Sequence, residues 1–328
     1  MLAAVNRHYG GPEVVRVEEI PTPIPMKGQV QVRVHASCVN SADHRLRSLS
    51  VPHGFGLIFR LVMGITAPRK HVLGVDATGV VTAVGPDVRS FRVGDRVAVS
   101  TGIEAGCHAE YLCIKESSLI VKVPEGLDLK FAAAILFGGT TALGFLRDKG
   151  KIAQNERVLI VGASGAVGVA AVQIAKHFGA HVTAVTSSAN AELVKSIGAD
   201  VSVDYLKKDY LKDLDAFDIV MDTVGTTSLD KVKDKLRERG RYLLVVADLK
   251  NMVLSGFRRL GAHRKVIASE LGMSKELVAT LLDFTARGVI RPVIDSEFPL
   301  AQIVDAHRRV DTGRKRGAVV VTVSEAAD

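Results

Sequence analysis

The most constraining feature of this chain is the segment at residues 158–186, which has the pattern of a strand, a glycine turn, a helix and a second strand. The run at 158–161 is apolar and rich in β-branched residues, and the run at 182–186 is again mostly β-branched. Three glycines fall in the turn at 162–168. Such a turn binds pyrophosphate, because backbone N–H groups point outward at the helix N-terminus and the helix dipole favours negative charge.

The glycine turn departs at one position from the usual dinucleotide fingerprint, G-x-G-x-x-G. Ala163 stands at the first glycine position, and Gly165 and Gly168 stand at the other two. We expect Gly165 to let the backbone approach the phosphates and Gly168 to let the helix lie close to the strand. The alternative is an ordinary tight turn, but the flanking β-α-β pattern favours a dinucleotide. Its predicted contacts in the turn are Ala163, Ser164, Gly165, Ala166, Val167 and Gly168.

The end of the second strand indicates which nicotinamide cofactor binds. NAD-selective sites usually carry an Asp or Glu there, which holds the ribose 2′-hydroxyl. This chain has Ser187, Ser188 and Asn190 instead. NADP(H) is therefore the predicted cofactor, with a modest preference because the loop offers no Arg or Lys to a 2′-phosphate. The alternative role of these side chains is to cap the helix predicted at 191–197.

Length and composition are those of an ordinary globular protein, with 328 residues, 47% of them hydrophobic and 24% charged. This length is enough for two domains. We expect no apolar run long enough to span a bilayer, no signal peptide and no membrane partner. Cys38, Cys107 and Cys113 show no metal-binding spacing and form no even disulfide set, which predicts a reducing, cytoplasmic location.

The chain is basic, with a formal net charge of +8 and a pI of about 9.4. Basic residues cluster at 258–259, 264–265 and 314–316. Nucleic-acid binding is one interpretation, but the sequence has no basic tail, no interleaved aromatic residues and no Trp. We therefore expect no nucleic-acid partner, and a solvated basic face that partly serves to attract an anionic cofactor.

Segments along the chain predict an α/β fold. The part before about residue 124 is rich in strands and turns, and the strands are predicted at 13–17, 29–34, 79–84 and 95–99. A helix is predicted at 129–146, and strands then alternate with helices, which is the pattern of a doubly wound parallel sheet. The later helix and the last strand are predicted at 274–287 and 318–323. The parallel strands are predicted at 158–161, 182–185, 219–222 and 242–246.

Short motifs occur in register along nearly the whole chain. They are Y-G-G-P-E-V at 9–14, V-N-S-A-D at 39–43, L-G-V-D-A-T-G-V-V at 73–81, V-G-D-R-V at 93–97, A-E-Y at 109–111, G-T-T-A at 139–142, the glycine turn, G-A-D at 198–200, D-T-V-G at 222–225 and R-G-A-V-V at 316–320. Together they resemble the medium-chain dehydrogenase/reductase family, and more narrowly its zinc-independent quinone-oxidoreductase branch.

This resemblance implies a two-domain architecture with the active site in the cleft between the domains. Residues 1–125 and 271–328 would form a β-rich GroES-like catalytic domain, and residues 126–270 a Rossmann NADP(H)-binding domain. Family members usually pair as homodimers through the edge strand of the Rossmann sheet. The candidate edge strand here is near 242–247 or just beyond it.

The resemblance also allows the positions of possible zinc ligands to be compared. Where zinc alcohol dehydrogenases of this family have a cysteine and a histidine ligand, this chain has Asn40 and Val75, and Phe137 or Gly138 occupies the third ligand region. A catalytic zinc needs three protein ligands, so we predict no metal. Without a Lewis acid, a quinone or the β-carbon of an α,β-unsaturated carbonyl is an easier hydride acceptor than a simple carbonyl.

The resemblance assigns candidate roles to single residues, each of which has a plainer structural alternative. Asn40 is the predicted polar group at the acceptor, or a loop Asn that satisfies its own turn. Thr141, with Thr140, is predicted to face the cleft and the cofactor, or to cap a following helix. Tyr205 is predicted near the adenosine phosphate, or as a half-buried core tyrosine. Further cofactor contacts are predicted where two strands end, at Val224, Gly225, Val246 and Ala247.

Two classes of function remain open at this point. The first is an NADPH-dependent reductase of a small-molecule quinone or conjugated carbonyl, with an alcohol dehydrogenase acting on simple carbonyls as a variant. The second is a cofactor-binding protein without significant catalysis, because no general acid is evident. The apolar segment at 52–69 predicts a pocket wall, or a loop that packs as core.

Overall fold

The computed structural model describes residues 1–51, 53–207, 210–248, 259–260, 264–268 and 272–324, with only the backbone described at 259–260. Three positions from the sequence analysis lie outside the described residues: Leu271 at the expected domain junction, Arg258 in a basic cluster and Pro52 at the start of the apolar segment.

Strands are numbered β1 to β16 in chain order. They are β1 (Leu2–Asn6), β2 (Val15–Glu19), β3 (Gln29–Val39), β4 (Asp76–Val84), β5 (Arg96–Ser100), β6 (Tyr111–Lys115), β7 (Ile120–Lys122), β8 (Arg157–Val161), β9 (His181–Thr186), β10 (Val201–Asp204), β11 (Phe217–Asp222), β12 (Leu236–Leu244), β13 (Arg259–Leu260), β14 (Arg264–Ile267), β15 (Ile294–Pro299) and β16 (Ala318–Thr322).

The α-helices are α1 (Ser41–Ser48), α2 (Gly56–Met63), α3 (Leu129–Leu143), α4 (Ala166–His177), α5 (Ala191–Ser196), α6 (Leu229–Val232), α7 (Lys275–Ala286) and α8 (Ile303–Asp311). A π-helical turn, Gly144–Lys149, continues α3. Short 3-10 turns lie at Pro12–Val14, Gly102–Glu104, Ser188–Asn190, Lys233–Lys235 and Leu300–Gln302. Pro12 explains why the strand predicted at 13–17 begins only at Val15, since proline favours the start of a helical turn.

The first β-sheet joins both ends of the chain. Its strand order is β15-β16-β3-β4-β5-β7, with β6 also paired to β3. β3 alternates buried and partly exposed residues, and Val30, Val32 and Val34 point into the core. The C-terminal β16 pairs with β3 in antiparallel register, from Val319 opposite Val39. This pairing places the last segment of the chain beside the first.

The second sheet has the order β10-β9-β8-β11-β12-β14-β13, and its strands are parallel from β10 to β14. The order reverses beside β8, which is where α/β sheets form their binding crevice. The α/β fold with a doubly wound parallel sheet is thus confirmed. The edge strand was expected near 242–247 or just beyond it, and the first position is excluded because β12 lies inside the sheet, where Tyr242 is paired with both Val220 and Val266. Beyond β12 the sheet continues through β14 to β13.

The segment Leu129–Lys149 is long and apolar enough to cross a membrane, contrary to the expectation from sequence. Within the structure, however, 78% of its apolar window is buried. α3 packs closely on α4, because a Cβ on Gly138 would lie 2.2 Å from the carbonyl oxygen of Ala166. This contact brings α3 against the start of the helix that follows the glycine turn.

The two sheets meet at the glycine turn. The backbone N–H of Gly317, just before β16, donates to the carbonyl of Ser164 at 2.9 Å. Gly317 and Gly165 also form an isolated parallel bridge. Gly317 has φ +75°, and a Cβ there would lie 2.1 Å from the carbonyl oxygen of Val293, so only glycine fits. The cleft between the sheets therefore opens beside the predicted pyrophosphate site.

Candidate functional site

The glycine turn has the geometry that a phosphate-binding turn requires. Gly162 follows β8 with φ +79°, and its N–H donates to the carbonyl of Val185. A Cβ on Gly168 would lie 2.2 Å from the carbonyl oxygen of Gly162, so the absence of a side chain allows α4 to lie against the strand. At Gly165 the nearest atom to such a Cβ is 3.6 Å away. The outer side of Gly165 is therefore open to a ligand.

The N-terminus of α4 presents donors at this open side. The first bond of the helix runs from the N–H of Val169 to the carbonyl of Gly165. The N–H groups of Ala166, Val167 and Gly168 precede it and have no acceptor one turn back in the helix. A dinucleotide pyrophosphate fits this arrangement of open space, N–H donors and helix dipole.

The end of β9 is held against the glycine turn by side chains. The hydroxyl of Ser164 accepts from Thr186 Oγ1 at 2.9 Å and from Asn190 Nδ2 at 3.1 Å. Ser187 precedes the 3-10 turn and Asn190 precedes α5, but neither side chain makes a capping hydrogen bond. The capping interpretation is therefore wrong for these two residues. Asn190 braces the turn, and Ser187 and Ser188 lie beside it on the short 3-10 turn.

Arg316 brings a cation to the loop after β9, which has no Arg or Lys of its own at residues 187–190. Its guanidinium Nη2 donates to the carbonyl of Ala189 at 3.4 Å, across 127 residues of sequence. Arg316 belongs to the basic cluster interpreted as a solvated face, and only the fold brings it to the end of β9. The expectation of a weakly selective, cation-free loop is therefore revised.

Tyr205 follows β10 at the same end of the sheet. Its N–H donates to the carbonyl of Thr186 at 3.2 Å, and its side chain is 52% exposed. The alternative of a core tyrosine is wrong. The backbone of Tyr205 thus adjoins the end of β9, and Arg316 contacts the turn that follows β9 and contains Ser188.

The loop after β11 forms the third side of the crevice, and Asp222 holds it. Its buried carboxylate accepts the N–H groups of Val224 at 2.9 Å and Gly225 at 2.8 Å. Val224 lies directly against the glycine turn, because a Cβ on Gly162 would come within 2.3 Å of it. Gly225 in turn approaches Val246, whose carbonyl oxygen is 3.2 Å from its Cβ position.

Ala247, the last of the predicted contacts on this side, differs from its neighbours. It is partly buried and packs against a core cluster on the other strands of the second sheet. The structure therefore brings Val224 to the glycine turn and Val246 to the neighbouring Gly225, whereas Ala247 packs against the core.

The oxygen and the nitrogen of the Asn40 side-chain amide lie in different environments. It is the N-cap of α1, where Oδ1 accepts from the N–H of Ala42 at 2.8 Å and of Asp43 at 3.3 Å. The Asp43 carboxylate accepts the N–H of Asn40 at 2.9 Å, which completes a capping box. The Nδ2 group is buried and has no hydrogen-bond partner. Asn40 therefore satisfies its own turn with its oxygen and keeps an N–H₂ group free.

Asp43 lies among buried polar groups. Burial raises the pKa of Asp43 to about 8. Its Oδ1 lies 3.7 Å from Nε2 of His108, beyond hydrogen-bond distance, and burial lowers the pKa of His108 to about 3. His108 Nδ1 is 2.8 Å from the hydroxyl of Ser37. Asp43 is therefore held by the capping box that it forms with Asn40.

Thr140 and Thr141 lie in the last turn of α3 and are not the N-cap of a following helix, so that alternative is wrong. Thr140 is buried and Thr141 is partly exposed. The Thr141 hydroxyl donates to the carbonyl of Phe137 at 2.8 Å, which leaves its oxygen lone pairs to accept. Thr141 lies one turn beyond Gly138, on the face of α3 that contacts the start of α4.

The three positions that correspond to zinc ligands lack ligand side chains. Asn40 is committed to its cap, Val75 is buried among apolar residues, and Gly138 lies against Ala166. Nearby, His44 is hydrogen-bonded to an aspartate carboxylate at 2.7 Å. Among the residues that the structure describes, no group of three His, Cys, Asp or Glu side chains is disposed to hold a metal ion.

The sequence matches three family descriptions in succession. Residues 26–125 match the alcohol dehydrogenase GroES-like domain, residues 131–231 match the C-terminal domain of alanine dehydrogenase/PNT, and residues 197–321 match the zinc-binding dehydrogenase description. The last match covers none of the three positions that would carry zinc ligands.

Oxidoreductases are also similar to this chain over nearly its whole length. Human quinone oxidoreductase is 30% identical over 322 residues, which cover 93% of this chain and 92% of that protein. The chloroplastic NADPH-dependent alkenal/one oxidoreductase of Arabidopsis thaliana is 30% identical, covering 98% of this chain and 79% of that one. A solved structure of the quinone oxidoreductase from Coxiella burnetii superposes with a TM-score of 0.86 at 28% identity, covering 99% of both chains.

Alanine substitutions at two glycines of the turn should separate an effect on stability from an effect on cofactor binding. Gly168→Ala should destabilise the fold by about 1–3 kcal/mol, because its methyl group meets backbone atoms. Gly165→Ala should cost less than about 1 kcal/mol, since its φ of −77° suits alanine. Its methyl group should nevertheless weaken NADPH binding about tenfold, or ~1.4 kcal/mol. Thermal unfolding and fluorescence titration measure the two effects, and unchanged NADPH affinity in Gly165→Ala would contradict the pyrophosphate placement.

Proposed function

The chain belongs to the medium-chain dehydrogenase/reductase family, in its quinone-oxidoreductase branch, and on that basis we propose that it transfers a hydride from NADPH to a quinone or an α,β-unsaturated carbonyl. Membership makes the chain an NAD(P)H-dependent oxidoreductase. The choice of acceptor, the residues that contact it and independence from zinc are our proposals.

The observation that carries the proposed acceptor class is the free amide group of Asn40. A buried N–H donor without a partner costs about 1–3 kcal/mol, so a bound ligand that accepts from it gains that energy. Hydride addition to a quinone or to the β-carbon of an enone moves an electron pair onto the conjugated oxygen. Donation from Asn40 Nδ2 would stabilise that oxygen as its negative charge grows.

The other residues would bind NADPH and orient it. NADPH supplies the hydride when bound. The N–H groups of Ala166 and Val167 would bind the pyrophosphate across the open side of Gly165. Thr141 would accept a hydrogen bond through its oxygen, because its proton is committed to Phe137. Water would protonate the product oxygen, since we assign no side chain as general acid.

At the nucleotide end, four side chains would contact the 2′-phosphate. Ser187, Ser188 and Tyr205 offer hydroxyls, and Arg316 offers a guanidinium that can pair with the phosphate. Ala163, Ser164 and Gly168 would shape the turn, and Val224, Gly225, Val246 and Ala247 would border the nicotinamide side.

Independence from zinc follows from the acceptor class and from the residues at the ligand positions. A quinone or an enone accepts hydride without a Lewis acid, because conjugation carries the charge to oxygen. Asn40, Val75 and Gly138 provide no thiolate or imidazole at the three ligand positions. We also propose the domain division 1–125 with 271–328 and 126–270, a homodimer formed through the sheet edge at β13, and a cytoplasmic location.

The proposed function predicts a specific pattern of acceptors. Purified protein treated with a chelator should oxidise NADPH with quinones and enones, at a kcat/KM at least about a hundredfold above that for simple ketones, or ~2.7 kcal/mol in transition-state energy. The rate should not change when zinc is returned. Activity that is lost on chelation and restored by zinc would overturn the metal assignment. NADPH binding without turnover of any acceptor would support the non-catalytic alternative.

Asn40→Ser separates the cap of α1 from the proposed catalytic donor. Serine caps helices about as well as asparagine, so the fold should be retained, but it cannot supply the amide N–H₂ group. We expect kcat to fall about a hundredfold, as for loss of one donor to a developing oxyanion. Ser41→Ala, an exposed neighbour, is the control. A folded Asn40→Ser protein with wild-type kcat would exclude this role for Asn40.

Arg316→Ala tests cofactor selectivity. Removing a charged partner of a phosphate should lower the NADPH/NADH ratio of kcat/KM by about tenfold or more. Arg314→Ala removes a neighbouring charge from the same basic cluster and should leave the ratio nearly unchanged. Kinetics with both cofactors measure the effect. A wild-type preference for NADH, or equal effects of the two variants, would contradict the assignment of Arg316 to the 2′-phosphate.

A further inference from the structure

One helix of the first sheet's domain exposes a continuous apolar surface. On α2 and just after it, five large apolar side chains face solvent, a set that we name the outer face of α2. They are Leu57 at 72% exposure, Ile58 at 47%, Leu61 at 54%, Val62 at 48% and Ile65 at 60%. Their spacing places them along one side of the helix. Isolated exposed apolar residues are normal, but a contiguous patch indicates an interaction surface.

The side chains of the outer face of α2 are separate from those that pack the helix against the rest of the protein. The opposite side carries Phe59 and Met63, which pack with Leu46, Val75 and Ala105. The interpretation of this segment as packed core is therefore correct for Phe59 and Met63. The outer face is not required to anchor the helix.

The sequence interval that contains the outer face of α2 carries basic residues and no acidic ones. No Asp or Glu occurs between Asp43 and Asp76, whereas Arg60, Arg69 and Lys70 in that interval are exposed. Lys70 pairs with Glu104 at 2.8 Å. In the part of the chain that the structure describes, neither Arg60 nor Arg69 forms an ion pair, and Arg60 donates to the carbonyl of Ile65. Two guanidinium groups thus flank an apolar helix surface.

We propose that the outer face of α2 docks onto a lipid bilayer that contains anionic lipids. Apolar side chains with flanking Arg residues are the composition of helices that lie in the membrane interface. The apolar set would enter the boundary between headgroups and acyl chains, while Arg60 and Arg69 would bind anionic headgroups. This inference reverses the expectation of a chain without a membrane partner, and it does not depend on the proposed acceptor class.

A second copy of the chain fits this surface less well. A symmetric dimer places the same patch against itself, which would bring Arg60 and Arg69 of both copies together. The acid-free interval offers them no carboxylate partner within the patch. A bilayer with anionic lipids presents both an apolar layer and the opposite charge, so it is the occupant that matches both properties of the surface.

Vesicle flotation of the full chain tests the proposal. The vesicles are phosphatidylcholine alone or phosphatidylcholine mixed with phosphatidylglycerol, at low and high salt. Leu57→Gln/Leu61→Gln removes apolar surface without adding charge, and Arg60→Gln/Arg69→Gln removes the cations. The matched control is Ile24→Gln/Met26→Gln, which changes two exposed apolar residues in the loop between β2 and β3. Thermal unfolding and NADPH titration establish that each variant is folded.

We expect the wild type and the Ile24/Met26 control to float with mixed vesicles at low salt. The leucine variant should lose at least tenfold in partitioning, and the arginine variant should lose several-fold and no longer respond to salt. Failure of the wild type to float with mixed vesicles would overturn the proposal. So would equal losses in the control and the leucine variant, or a wild-type dimer in light scattering that the leucine variant makes monomeric.

Discussion

The candidate site depends on one backbone contact between the two sheets. Gly317, at the start of β16, donates its N–H to the carbonyl of Ser164 in the glycine turn. The residues before it add to this junction: Lys315 donates to the carbonyl of Gly317 at 2.6 Å, and Arg316 reaches Ala189. Burial lowers the pKa of Lys315 to about 8. The segment before β16 thus contacts the glycine turn through Gly317 and the loop after β9 through Arg316.

This junction explains why a site built from distant segments is pre-organised. The glycine turn presents its donors from one sheet, while Asn40 is held by the capping box and the buried Asp43 carboxyl group of the other. The N–H₂ group of Asn40 is one of three unpaired buried polar groups in this arrangement, with Asp43 Oδ1 and His108 Nε2, and a ligand that accepts from it would satisfy it.

Local features of the site could be predicted from the sequence. The roles of Gly165 and Gly168 follow from the spacing of a β-α-β unit, and the parallel sheet follows from the alternation of elements. Long-range features could not be predicted in this way. Arg316 is 127 residues from Ala189, and Asn190 bonds to Ser164 rather than capping α5. Of the two positions expected for the edge strand, 242–247 lies inside the sheet, and the edge strand β13 lies beyond it.

The central claim is that a hydride passes from NADPH to the β-carbon of a conjugated acceptor in the cleft beside this junction. The most direct measurement uses NADPH deuterated at its transferable C4 position with an α,β-unsaturated ketone, followed by mass spectrometry and NMR of the product. We predict a saturated ketone with deuterium at the β-carbon. An allylic alcohol with deuterium at the former carbonyl carbon, or a reduced product without deuterium, would contradict the account.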